Sequence, residues 1–193
     1  MPRRSQEERT RSTRSALTAA ARTLFAERGY AAVSTDEIVR AAGVTRGALY
    51  HHYADKQALF RDVFEQVEAE ITAEVEAATA TAPDYLAAMA VGVTNYLDIC
   101  QRPDVLRICL TDAPGVLGWA AWREIEARHG LGLITAMLDS AAAAGLVVTP
   151  SVPALAQLVL SAVAESALMI ANGVDRDTTQ QALTTLLLGL VKQ

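Results

Sequence analysis

Arg46, Gly47, Tyr50 and His51 place a guanidinium, a phenol, an imidazole and a bare backbone position within six consecutive residues. At helical spacing they share one exposed face, and their chemistry is that of hydrogen-bond donation to anions and base edges. Arg46 stands where a helix begins, so its planar fork of donors suits a guanine edge or a phosphate. Tyr50 and the nearby Lys56 suit phosphates, contacts that fix orientation without reading sequence. Gly47 and Ala48 are small enough for a backbone to approach a duplex closely. Such a set binds; it does not catalyse. Cys100, Cys109 and His129 offer a nucleophile and a base, but no spacing or strand–turn–helix context unites them. There is no HExxH, CxxC or paired acidic motif. The sequence therefore predicts no catalytic residue, no metal site and no cofactor.

These donors must be held by short helices, and the start signals are explicit. Ser34 followed by Glu37 forms a capping box, with Val33 and Ile38 as its hydrophobic staple. The helix it opens ends at Ala42-Gly43, where glycine permits the positive φ of a tight turn. Thr45 caps a third helix, stapled by Val44 and Leu49, and Asp55 caps a fourth. The fourth carries the stripe Leu59, Phe60, Val63, Phe64, Val67, Ile71. An earlier helix places Leu17, Ala21, Leu24 and Phe25 on one side. Two short helices joined by a glycine turn make a helix-turn-helix. The polar outer face of an ordinary three-helix bundle would explain each exposed donor singly. It does not explain three successive caps, the glycine turn and the donors together.

The run TDEIVRAAGVTRGALYHHYADKQALF resembles the DNA-binding motif of the tetracycline-repressor (TetR) family, and TAAARTLFAERGY resembles the helix before it. The resemblance covers about residues 9–69. It implies an all-α homodimeric regulator, usually a repressor, whose residues 46–52 read a palindromic operator. Within that motif, Arg46, Gly47 and His51 take base-facing roles, while Thr35, Tyr50, His52 and Lys56 hold the DNA backbone. Thr45 and Ala48 belong to the same surface, although Ala48 lacks a hydroxyl often present there. Tyr53 replaces the commoner phenylalanine, with its hydroxyl expected to reach solvent or phosphate.

Charge is divided along the chain. Through Arg61, eleven Lys and Arg face six Asp and Glu; beyond it, six face sixteen, giving a basic head on an acidic body. Residues 1–8 read as a basic arm, 9–69 as the DNA-binding domain and 70–193 as an effector-binding and dimerisation domain. Arg3, Arg4, Arg9, Arg11 and Arg14 are either a solubilising tail or an arm adding phosphate and minor-groove contacts. Periodicity and breakers give about nine helices: 8–28, 35–42, 46–52, 56–80, 84–101, 104–111, 117–144, 152–172 and 176–191. The N-terminus lacks the apolar core of a secretory signal, and Leu155 to Ala171 is interrupted by Gln157, Ser161, Glu165 and Ser166. The expectation is a cytoplasmic protein with no membrane partner and reduced cysteines.

In the body, helices near 84–144 are expected to line a pocket for a small hydrophobic or aromatic effector. The candidates are Tyr96, Cys100, Leu110, Trp119, Trp122, Arg123, His129 and Met137. Core packing is the competing account of the two indoles, and a hydrogen-bonded helix position that of His129. Gly130 and Gly132 interrupt a helical segment and offer a bend. Leu155, Leu158, Val159, Ala162, Val163 and Met169 on one terminal helix, with Leu183, Leu186, Leu187 and Leu190 on the next, are expected to pair with a second copy; intrachain core is the alternative. Three rival functions stand beside the repressor. They are an activator of the same fold, a helical enzyme and a non-specific architectural protein.

Overall fold

The capping signals are all realised in the computed structural model, which describes residues 6–191. Ser34 Oγ accepts from the Glu37 amide at 3.3 Å, and a Glu37 carboxylate oxygen accepts from the Ser34 amide at 2.9 Å. This exchange starts α2 (Thr35–Ala42), which follows α1 (Gln6–Arg28). Gly43 ends α2 at φ 66°, in the left-handed region where a side chain is disfavoured. Thr45 Oγ1 then accepts from the Ala48 amide at 3.2 Å to begin α3 (Arg46–His52). Asp55 accepts from the Ala58 amide at 2.7 Å at the head of α4 (Lys56–Thr79). The remaining elements are α5 (Tyr85–Ile99), a π-helical stretch Val105–Asp112, α6 (Ala113–Leu117), α7 (Trp119–Arg128), α8 (Gly130–Ala143), α9 (Val152–Ala171) and α10 (Arg176–Leu188). Among the described residues there is no strand; Val147 and Val191 form a lone antiparallel bridge. The fold is all-α.

The chain divides into two compact units, one running through Val67 and taking in Pro103–Trp119, the other made of Glu68–Arg102 and Ala120 onward. In the first, Leu17, Phe25, Ile38, Leu49, Phe60 and Phe64 are fully buried. Phe25, Tyr30 and Phe60 form a triangle of rings with centroids 5.2–5.7 Å apart, a tilted and edge-on arrangement favoured by aromatic quadrupoles. Pro103–Trp119 was expected in the C-terminal domain, yet it completes this core with Val105, Ile108 and Ala113. Polar ties reinforce it. Arg22 pairs with Asp104 at 2.6 Å, the Tyr30 amide donates to Asp112 at 2.7 Å, and Gln57 donates to the Val116 carbonyl at 2.5 Å.

In the second unit Val75, Leu97, Ile125, Leu138, Leu160 and Leu187 are buried. The single helix expected over 117–144 is broken at His129. His129 takes φ −120° and ψ −115°, outside the helical range, and α8 then passes so close to the end of α7 that a β-carbon on Gly132 would sit 2.8 Å from the Ala127 carbonyl oxygen. One helix among the described residues, α9, is long and apolar enough to cross a membrane, with mean hydropathy 1.8. It packs here on α8 and α10, burying Ala156, Leu160, Val163 and Ala167.

Candidate nucleic-acid interface

The exposed surface of α3 is anchored by one side chain, the fully buried Leu49. Arg46, Gly47, Tyr50 and His51 point to solvent; Thr45 is exposed and Ala48, Thr35 and His52 are half-buried. Arg46 lies over the Tyr50 ring, its guanidinium carbon 5.6 Å from the centroid, and pairs with Asp36 at 3.2 Å. Arg46 and Thr35 both hydrogen-bond the Tyr50 phenol and bring its pKa below the ordinary tyrosine value. An ion pair this exposed contributes little to stability, so a phosphate or base edge can replace Asp36 at small cost. Asp36 was absent from the sequence expectation, though its position in the first turn of α2 was in plain sight. His51 and His52 stack edge-on with centroids 5.2 Å apart. Desolvation first, then the neighbouring His51 and Arg14 charges, lowers the His52 pKa, keeping it neutral at pH 7.

Two expected roles are redirected inward. Lys56 Nζ donates to the Tyr30 and Val33 carbonyls at 2.9 and 2.8 Å and sits 4.0 Å from the Tyr30 ring centroid. Two of its three protons are thus committed to backbone, because the turn between α1 and α2 leaves carbonyls that no helix satisfies. The Tyr53 hydroxyl turns to two side chains of its own unit. It donates to Asp62 at 2.5 Å and accepts from Arg14 Nε at 3.3 Å, while Arg14 also grips Asp62 through two bonds of 2.8 and 3.0 Å. Burial and the Asp62 carboxylate together hold the Tyr53 phenol well above its usual pKa. Arg14, expected on a tail or arm, belongs to α1, as do Arg9 and Arg11. Arg3 and Arg4 lie outside the described residues.

The second unit holds a cavity of about 100 Å³ among α4, α5, α8, α9 and α10. Of the residues expected at a pocket, Tyr96 and Met137 line it. The other six do not. Leu110 and Trp119 belong to the first unit, with Trp119 69% exposed. Cys100 is fully buried behind Tyr96, which hydrogen-bonds its sulfur; burial pushes the thiol up to about 12, the range of an inert structural cysteine. Trp122 stacks on Arg123, whose guanidinium pairs with the buried Glu126 at 2.5 Å. His129 occupies the break before α8. These six were selected by residue type, whereas the lining is decided by which helix faces converge. Thr72, Tyr85 and Met89 were missed. Thr72 sits in a compositionally plain stretch that carried no local signal.

The expected dimer residues separate by exposure. Leu158 and Leu186 are 67% and 57% exposed, and Met169 is also exposed. Val163, Leu183 and Leu187 are buried within their own unit and cannot form a seam without unpacking it. Leu155, Val159, Ala162 and Leu190 are half-buried, and Val159 and Leu190 face the cavity with Val163 and Leu187.

The chain is similar to known proteins over both units. The family model of bacterial regulatory proteins of the tetR family matches residues 17–63, and that of the tetracyclin repressor-like C-terminal domain matches 86–193. The Transposon Tn10 TetC protein of Escherichia coli is 31% identical over 134 residues, covering 69% of this chain and 68% of that protein. The HTH-type transcriptional regulator AcrR of Shigella flexneri is 41% identical over 71 residues, but these span 37% of this chain and only 33% of AcrR. The crystal structure of a TetR-family transcriptional regulator from Pectobacterium atrosepticum superposes with a TM-score of 0.78 at 36% identity, covering 98% of this chain and 99% of that one.

Proposed function

Since the chain belongs to the TetR family and is a DNA-binding transcriptional regulator, we propose that it acts in the cytoplasm as a homodimeric repressor, without enzymatic activity, and is released from a palindromic operator by a small effector. The observation that carries this reading is the exposed surface of α3, where Arg46, Gly47, Tyr50 and His51 face solvent, tied down only by exposed contacts with Asp36 and among themselves and Thr35. Arg46 and His51 reach base edges; Tyr50, Thr35, Thr45 and His52 hold the phosphates, and Gly47 and Ala48 permit the close approach. Lys56 contributes indirectly by fixing the turn that sets α2.

A palindrome needs two heads related by a twofold axis, with half-sites about 34 Å apart. Leu158, Met169 and Leu186, apolar and exposed on α9 and α10, supply the surface for a second copy. The effector occupies the cavity between α4, α5, α8, α9 and α10. It releases DNA only by binding the non-binding conformation more tightly, since equal affinity for both shifts nothing. Helix α4 runs unbroken from Lys56 to Thr79, giving Phe60 and Phe64 to the first core and Thr72 and Val75 to the cavity wall. It is the covalent route between effector and head.

Selection of bound duplexes from a random pool tests this directly. The expected outcome is one palindrome with half-sites a helical turn apart. Uniform recovery of all sequences would overturn it in favour of non-specific coating.

A further inference from the structure

The chemistry of the cavity wall specifies the kind of effector, an inference that rests on the cavity being the effector site. Among the described residues that line it, none is charged. An ion buried there would lose its hydration with no partner in return, so the occupant is neutral. Tyr85, Tyr96, Met89 and Met137 supply ring faces and polarisable sulfurs, which favour an aromatic ring. A volume of about 100 Å³ is on the scale that holds one ring.

One buried polar atom on the wall has no hydrogen-bond partner. Helical threonines elsewhere in the chain turn their hydroxyls back onto a carbonyl four residues earlier: Thr79 onto Val75 at 2.9 Å, Thr94 onto Ala90 at 2.9 Å, Thr135 onto Leu131 at 2.7 Å. Thr72, about two turns before Thr79 on α4, does not. Its Oγ1 is buried and has no hydrogen-bond partner. A buried hydroxyl left unpaired costs free energy, and a ligand oxygen would recover it. The Tyr96 hydroxyl is already engaged with Cys100.

We propose that the cavity binds a neutral, single-ring aromatic molecule bearing one hydrogen-bonding oxygen, and that Thr72 Oγ1 is the residue that pairs with that oxygen. Calorimetry on the full chain at pH 7 with phenol, toluene and benzoate tests it. Phenol should bind, toluene more weakly, and benzoate should give no measurable heat. Thr72→Val keeps the shape and removes the hydroxyl; it should weaken phenol roughly three- to tenfold and leave toluene unchanged, which also reports an intact fold. Ala88→Leu, filling the space, should abolish both. Absent phenol heat, benzoate binding as tight as phenol, equal phenol affinity in the Thr72 variant, or undiminished binding in the Ala88 variant would each overturn the proposal. Operator release is read separately by gel shift. Phenol binding without release supports the cavity chemistry and refutes the effector role, whereas DNA binding with no phenol heat refutes the cavity chemistry alone.

Discussion

The Lys56 ammonium lies 2.9 Å from the Tyr30 carbonyl oxygen and 4.0 Å from the centroid of the same residue's ring, so one residue receives both a hydrogen bond and a cation–π contact. With the Val33 carbonyl at 2.8 Å, this ties the start of α4 to the turn before α2. Lys56→Met should therefore lower unfolding free energy by about 1–2 kcal/mol, the cost of stranding partly buried carbonyls. The salt dependence of operator binding should keep its slope. A slope shallower by about one would return Lys56 to the phosphate-binding set.

Arg46→Ala should behave oppositely. It removes an exposed side chain with a weak internal partner, so the melting temperature should hold while preference at one base pair relaxes, on the order of tenfold in affinity at that position. Tyr50→Ala should instead weaken all sequences alike. Quantitative binding to a panel of single-base operator variants separates the two.

Tyr53→Phe deletes the hydroxyl shared by Asp62 and Arg14. The ring should stay packed and stability should fall by about 1 kcal/mol, measured by urea denaturation. Unchanged stability would mean that the Arg14–Asp62 pair alone carries the contact.

Glu37 gives a pH signature. Its bond from Arg28, then those from Ser34, holds its carboxyl down to about 2 in the folded chain, against about 4.5 as the ordinary value. The folded state thus favours the charged form. The stabilisation is fully present above pH 4.5 and is lost as pH falls toward 2. Glu37→Gln keeps the capping geometry without the charge. Its stability deficit relative to the parent chain should be present at pH 7 and shrink across that acid window.

Leu158→Glu combined with Leu186→Glu tests the second-copy surface, because both side chains are mostly exposed in the protomer. Light scattering should report monomers with unchanged helicity by circular dichroism. Dimers that persist would place the seam on another face. Leu187→Glu is unsuitable, since Leu187 is buried and its loss would unfold the unit.

What could be read from sequence was what depends on near neighbours. Ser34 and Glu37, Thr45 and Asp55 act within three residues, so the starts of α2, α3 and α4 and the exposure of Arg46, Tyr50 and His51 follow from local rules. The stripe from Leu59 to Ile71 is likewise set by the helical period. Tertiary structure decided the pairings that join distant segments: Lys56 to Tyr30, Tyr53 to Arg14, Pro103–Trp119 to the core beneath α1, and the five helices that leave Thr72 without a partner. An ammonium or hydroxyl near a helix end satisfies solvent, phosphate or a buried carbonyl equally well by its type. Only the packing of remote segments determines which of these stands within 3 Å.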